Sequence, residues 1–293
     1  MAKLAFIGLG ALGAPIARHL AAAGHDLRLY TRTRAKAEAW IAAYGGAIAD
    51  SPADAAHDRD AVFTCVGTDD DLAEVTLGRA GVFRTLRAGA LFVDHTTVSA
   101  RIARQLAVEG RDLGLLVLDA PVTGGESGAR AGALSVMCGG TARAFAAAQP
   151  LIAHYARRIV HIGAAGAGQT AKMANQIAIA GIVQSLAEAV RFAEAAGLDL
   201  ARVYEAIEDG AGSSWQMRHY WRTMAEGAFD HGLAVDWMRK DLGLAIDEAR
   251  GNGAALPVAA LVDQFFAEVQ RMGGGRQDTS ALVRRLPGGK AGQ

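Results

Sequence analysis

Residues 6–13 read Phe-Ile-Gly-Leu-Gly-Ala-Leu-Gly and overlap the apolar run 4–8 near the start of this 293-residue chain. The motif G-x-G-x-x-G falls directly after a candidate strand and at the opening of an alanine-rich helical pattern, residues 12–23. In that frame each glycine has its own duty. Gly8 permits a tight turn, Gly10 lets the backbone approach a pyrophosphate, and Gly13 lets helix and strand pack closely, while the helix N-terminus offers unpaired N–H groups to the anion. Leu9, Ala11 and Leu12 complete the loop.

The rest of the first half supplies the βαβ frame. Strand candidates at 4–8, 27–31, 61–66, 91–94, 115–118, 135–138 and 158–162 alternate with helical patterns at 12–23, 35–44, 72–77, 101–109 and 142–154. Such alternation predicts an α/β, Rossmann-type doubly wound parallel sheet. At residues 163–169 the segment GAAGAGQ punctuates the chain, and beyond it strand signals nearly vanish while helical periodicity continues. The expected organisation is a dinucleotide-binding domain over 1–163 and an all-α domain over 164–293. The first element of the second domain, residues 169–196, is apolar on nearly every face and would be ~40 Å long at the helical rise. Asn175, Gln176, Gln184 and Glu188 interrupt it, which suits a protein interior better than lipid. One small helical domain can hardly cover such a helix, so a homodimer or homotetramer is expected.

Composition narrows the function classes. Hydrophobic residues make up 51% of the chain and charged residues 20%, which excludes a disordered chain, and thirty basic against thirty acidic residues leave no net field for nucleic acid or an anionic membrane. Two cysteines, Cys65 and Cys138, are too few for a disulfide scaffold or zinc site and fit a reducing cytoplasm. The N-terminal apolar stretch carries Gly8, Gly10, Gly13, Pro15 and Arg18 where a secretory signal needs an unbroken helix. Asp69-Asp70-Asp71 lies at a helix start, where acids favour the helix dipole, so no metal is assigned.

The end of the second strand bears on cofactor choice. NAD sites usually carry Asp or Glu there, whereas this chain reads Tyr30-Thr31-Arg32-Thr33. An arginine fork between two hydroxyls suits a 2′-phosphate, which points to NADP over NAD. Val66 and Gly67, at the end of the strand at 61–66, belong to the same candidate cofactor crevice.

Chemistry is expected where a scarce residue enters an apolar helix. The chain has five lysines against twenty-five arginines. Lys3, Lys36 and Lys290 fall in exposed-looking contexts, while Lys172 opens the apolar helix with Asn175 and Gln176 at i+3 and i+4 on one face. A lysine so placed can give a proton to the alkoxide formed as a carbonyl is reduced and recover it in oxidation. Burial and a second cation, for which Lys240 is the candidate, would tune it. Two loops complete the constellation: Asp94-His95-Thr96-Thr97 and Asp119-Ala-Pro-Val-Thr123-Gly124-Gly125 both follow strands, where ligands of open α/β sheets bind. Thr123, Gly124 and Gly125 can offer a hydroxyl and two unhindered N–H groups to a substrate carboxylate. Lone loop histidines such as His95 and His231 are usually structural.

On these motifs the chain resembles, nearly end to end, the β-hydroxyacid dehydrogenase family, which includes 3-hydroxyisobutyrate dehydrogenase, tartronate semialdehyde reductase, and glyoxylate and succinic semialdehyde reductases. GLGALG at 8–13 matches the family's G-L-G-x-M-G with Leu12 for methionine, and residues 119–125 match D-A-P-V-S-G-G with Thr123 for serine. Gly168 to Lys172 match the catalytic G-x-x-x-K, Thr96-Thr97 the nicotinamide-side pair, and Lys240-Asp241 a late K-D pair near the cofactor. The resemblance implies a cytoplasmic NAD(P)-dependent oxidoreductase in which Lys172 is catalytic. It implies substrate contacts at Thr96, Thr123–Gly125, Asn175 and Gln176, and cofactor contacts at Thr97 and Lys240. The departures fall where substrates are chosen: Gln176 stands where a second asparagine is usual, and Trp215, in Ser213-Ser214-Trp215-Gln216-Met217, could wall the pocket or serve as a core or dimer contact. Imine reductases share the architecture but generally lack the lysine, and a non-catalytic cofactor-binding protein would have no need of it.

Overall fold

The computed structural model describes residues 1–288; Lys290 and the other final residues of the 164–293 segment lie outside the described residues. The chain forms two compact units, Met1–Lys172 and Met173–Gln293.

In the first unit the chain alternates as the periodicity implies: β1 (Lys3–Ile7), α1 (Gly13–Ala22), β2 (Asp26–Tyr30), α2 (Arg34–Tyr44), β3 (Ala47–Ile48), α3 (Pro52–Ala56), β4 (Ala61–Thr64), α4 (Asp69–Leu77), β5 (Leu91–Asp94), α5 (Ala100–Asp112) and β6 (Leu116–Asp119). After β6 come β7 (Val122–Thr123), α6 (Gly125–Ala131), β8 (Leu134–Gly140), α7 (Ala142–Ile152) and β9 (Ala156–Gly163). The first six strands are parallel in the order β3-β2-β1-β4-β5-β6. Strands covered by helices on both faces need unbroken apolar runs, and Leu4–Ile7, Ala61–Phe63 and Leu91–Val93 are almost wholly buried. Helix starts follow local chemistry: Ser51, Thr68, Ser99 and Thr141 each accept a hydrogen bond from the backbone N–H three residues on.

The far side of the sheet is not parallel. β8 runs antiparallel to β6 and β7, and β9 returns parallel to β8, so the nine-stranded sheet is mixed. The chain reverses through β7 and the seven-residue α6, elements too short to show a period of 2 or 3.6 in sequence. β3 and α3 escaped the periodicity for the same reason.

The 29-residue α8 (Ala167–Ala195) begins in the first unit and runs into the second. There it is followed by α9 (Leu200–Ile207), α10 (Trp215–Glu226), α11 (Val235–Asn252), α12 (Pro257–Arg271) and a 3-10 segment, Thr279–Arg285. Val183, Leu186 and Val190 of α8 pack in one cluster with Trp221, Met238, Leu242 and Phe266. A second stripe of α8, containing Ala178, Ile182, Ser185, Ala189 and Phe192, is exposed. Among the described residues no helix is long and apolar enough to cross a membrane. Neither cysteine is in a disulfide; Cys138 is buried and Cys65 half-buried.

Candidate functional site

The strand order reverses between β1 and β4, the point at which an open α/β sheet leaves a crevice at its carboxyl edge. Gly8 lies there at φ +98°, and a Cβ on it would stand 2.2 Å from the Cys65 carbonyl oxygen; one on Gly13 would stand 2.0 Å from the Gly8 oxygen. Both glycines are demanded by protein packing. A Cβ on Gly10 would meet nothing within 4 Å, so the protein itself does not require that glycine. Leu12, at the N-cap of α1, makes no side-chain cap bond, and the first turn carries no acid. Open space at Gly10 and uncapped amides in one loop fit a pyrophosphate, so Gly8–Gly13 suit the phosphates of a dinucleotide.

At the end of β2, Thr31 is half-buried, while Arg32 and Thr33 are exposed. Thr33 precedes α2 without capping it through its side chain. Arg32 is paired: its Nη1 lies 2.8 Å from Asp71 Oδ1 on the first turn of α4. The three aspartates expected at a helix start are indeed there, with different partners. Asp69 accepts from the Ser99 N–H (2.8 Å), Asp70 is exposed, and Asp71 takes part in the Thr68 cap. Among the described residues no group of three or more His, Cys, Asp or Glu could hold a metal ion.

The loops after β5 and β6 converge on the start of α8. Asp94 Oδ1 accepts from Thr64 Oγ1 (2.6 Å), Thr96 N (3.0 Å) and Thr96 Oγ1 (2.6 Å), while Oδ2 is buried without a hydrogen-bond partner. Burial pushes its carboxyl up to about 7. Thr96 Oγ1 also accepts from Val66 N (3.0 Å), so this hydroxyl, expected at the substrate, is engaged inside the protein and supports the loop. Thr97 is half-buried, as are Val66 and Gly67. His95 donates from Nδ1 to the Ala120 carbonyl (2.6 Å) and accepts at Nε2 from the Tyr155 hydroxyl (2.8 Å); burial lowers it to about 4 and keeps the ring neutral. It is a structural histidine.

Asp119, at the end of β6, caps α8 from a distance. Its Oδ1 accepts from Gly166 N (2.8 Å) and its Oδ2 from Gln169 N (3.0 Å), and burial raises it to about 6. Gly168 fits because a Cβ there would stand 2.5 Å from the Met137 oxygen. Gln169, fully buried, donates from Nε2 to the Thr96 carbonyl (2.7 Å) and accepts at Oε1 from Val98 N (3.1 Å). The first turn of α8 is thereby tied to both strand ends, and Lys172, three residues past Gln169, is buried at 8% exposure. Thr123 ends β7, and Gly124 (φ +125°) and Gly125 (φ +63°) form the turn into α6. A Cβ on Gly125 would meet nothing within 4 Å, so its backbone is approachable.

In the second unit, Asn175 Nδ2 donates to Gln176 Oε1 (2.8 Å), and Gln176 Nε2 donates to Asp241 Oδ2 (2.7 Å). Lys240 Nζ lies 3.1 Å from Asp241 Oδ1 and 5.5 Å from the Trp237 ring centroid. Gln176 is therefore engaged at both ends of its amide and joins Asn175 to the Lys240–Asp241 pair. Trp215 opens α10, half-open to solvent and stacked on His219 at 3.8 Å, so it is not a core residue. Ser214 is the N-cap of α10, accepting from Met217 N. His231 is exposed, with Nε2 on the Ala228 carbonyl.

Sequence reasoning passed over Gln169, and treated Asp94 and Asp119 only as letters in motifs. The signal for Gln169 was a polar side chain inside a glycine-rich helix start, ambiguous until its partners 71 and 73 residues away are known. For Asp71 there was no signal pointing to Arg32.

The family described as the NAD binding domain of 6-phosphogluconate dehydrogenase matches residues 3–163, and that described as NAD-binding of NADP-dependent 3-hydroxyisobutyrate dehydrogenase matches residues 166–286. An uncharacterized oxidoreductase of Shewanella frigidimarina is 56% identical over 98% of both chains. The 2-hydroxy-3-oxopropionate reductase of Escherichia coli is 35% identical over 97% of both. Among solved structures, the 3-hydroxyisobutyrate dehydrogenase of Mycobacterium tuberculosis with L-serine is similar at a TM-score of 0.87 and 32% identity, covering 97% of this chain and 98% of that one. With its phosphate loop, its mixed sheet and its helical second half matched along nearly the whole length, this chain belongs to the β-hydroxyacid dehydrogenase family of oxidoreductases.

Proposed function

We propose that the protein is an NADP-preferring dehydrogenase or reductase of small β-hydroxy acids and their semialdehydes, with Lys172 as the general acid/base. The observation that carries this reading is the burial of Lys172 one turn into a helix whose start is fastened by Asp119 and Gln169 to the ends of β5 and β6. Bound nicotinamide supplies or accepts the hydride. The protein's task is then the proton: Lys172 Nζ gives it to the nascent alkoxide oxygen in reduction and takes it from the hydroxyl in oxidation. Thr123, Gly124 and Gly125 hold the substrate carboxylate, and Asn175, Gln176 and Trp215 shape its pocket. Gly8, Leu9, Gly10, Ala11, Leu12 and Gly13 receive the pyrophosphate, and Thr31, Arg32 and Thr33 the 2′-phosphate. Val66, Gly67, Thr97 and Lys240 complete the cofactor's surroundings.

The proposed domains are 1–163 for cofactor and 164–293 for substrate and dimerisation, in a cytoplasmic enzyme. The exposed stripe of α8, with Phe192 at 76% exposure, supports a second copy of the chain as its cover. Light scattering that finds a stable monomer at micromolar concentration would contradict this.

The experiment that tests the function is a screen of glyoxylate and of succinic, tartronate and methylmalonate semialdehydes against NADPH and NADH, read as loss of reduced nicotinamide. Turnover of at least one acid, faster with NADPH, is expected. Tight cofactor binding with no turnover on any of them would return the protein to a non-catalytic role, and turnover of cyclic imines alone would make it a C=N reductase.

A further inference from the structure

The exposure of Arg32 and the confinement of Asp71 differ sharply. The Arg32 side chain is 79% exposed and the Asp71 side chain 23%. Asp71 is held from behind: Thr68 Oγ1 accepts from Asp71 N and donates to Asp71 Oδ2, both at 3.1 Å, which leaves Oδ1 to Arg32. Asp69 on the same turn ties α4 to Ser99, so the turn that carries the acid is itself anchored. The pair links the segments after β2 and after β4, the two strands that flank β1 and its phosphate loop. The acid is fastened by Thr68, and the arginine that it holds is open to solvent.

We propose that Asp71 is a specificity-determining residue that limits the preference for a 2′-phosphorylated cofactor by engaging Arg32 in an ion pair that the phosphate must share or break. This rests on the reading of Arg32 as the 2′-phosphate residue. A phosphate brings close to two negative charges to a place where the arginine's positive charge is already offset by Asp71. A ribose 2′-hydroxyl brings none, so Asp71 penalises NADP binding selectively and leaves NAD binding alone. The acid that cofactor sites of this kind usually carry on β2 is absent here, and a weaker, indirect version of its effect comes from α4.

The test is a set of dissociation constants for NADPH and NADH, from nicotinamide fluorescence titrations, on the wild type, Asp71→Asn, Arg32→Ala and the double variant, with melting curves to confirm folding. Asparagine keeps an acceptor for Thr68 while removing the charge. Asp71→Asn is expected to tighten NADPH about two- to five-fold, the range of an exposed ion pair, with NADH unchanged within that error. In the Arg32→Ala background the gain should disappear. Unchanged or weaker NADPH binding in Asp71→Asn overturns the proposal, and so does an equal gain in the absence of Arg32. If Arg32→Ala weakens NADPH selectively while Asp71→Asn does nothing, only the role of Asp71 falls. If Arg32→Ala leaves the NADPH to NADH ratio where it was, the NADP reading falls and takes this proposal with it.

Discussion

Two glycine-rich turns lead from a strand into a helix in the first unit, and they end differently. After β1 the helix α1 starts without a side-chain cap, and Gly10 faces open space. After β9 the helix α8 starts under the Asp119 carboxylate, packed so tightly at Gly168 that no Cβ fits. Helix-terminal amides left without a partner are a binding site for an anion; amides already satisfied by the protein hold the helix in place instead. On the proposed function the first turn receives the cofactor's phosphates, and the second positions a residue one turn further on, Lys172.

The largest expected effect follows from that aiming. Lys172→Ala should lower turnover ~10²-fold or more while NADPH affinity stays within a few-fold, since the proposed phosphate contacts are made by other residues. Lys172→Arg should fail almost as badly, because a guanidinium does not give up its proton near neutrality. Near wild-type turnover in Lys172→Ala, combined with lost NADPH affinity, would make the residue a binding lysine and dissolve the contrast between the two turns.

The cap itself is open to test. Asp119→Ala strands two buried N–H groups and should cost about 1–3 kcal/mol, read by thermal or urea melting, with a fall in turnover from the loosened helix start. The carboxylates also set a pH dependence. Burial raises Asp94 to about 7 and Asp119 to about 6, from the 3.8 ordinary for an aspartate. A proton held more tightly in the folded state stabilises fully below the unfolded value, and that stability is lost as pH rises through the folded one. Their contribution should therefore make the melting temperature fall between about pH 4 and pH 7, and Asp94→Asn should flatten the decline. A decline equally steep in Asp94→Asn would remove Asp94 from the account.

The smallest effect sharpens the comparison most. Gly13→Ala forces a Cβ against the Gly8 oxygen and should cost about 1–3 kcal/mol. Gly10→Ala should leave stability within about 0.5 kcal/mol, since nothing lies within 4 Å, yet weaken NADPH binding where the backbone must meet phosphate. If Gly10→Ala also binds NADPH normally, the open space at Gly10 is not a cradle.

Much of this was legible from local pattern. The strands at 61–66 and 91–94 announced themselves because a buried parallel strand must be apolar on both faces, and Lys172 stood out because a cation interrupts a helix apolar all round. The two-residue β7 and the short α6 did not, since neither is long enough to complete a period, and with them went the antiparallel half of the sheet. Thr96 was legible as a loop residue but not as one whose hydroxyl donates to Asp94 and accepts from Val66 N.

By itself the sequence determined the α/β class of the first half, the helical second half, the phosphate loop and the lysine in the apolar helix. Each depends on residues within a turn or two of one another, and chain sterics and hydrophobic periodicity act at that range. Only the tertiary structure decided which polar groups meet. Arg32 finds Asp71 across 39 residues, Asp119 finds the start of α8 across 47, and Gln169 finds Thr96 across 73. These pairings depend on the order in which strands lie side by side in the sheet, and a period of 2 or 3.6 says that a strand or helix exists without saying beside which neighbour it will lie.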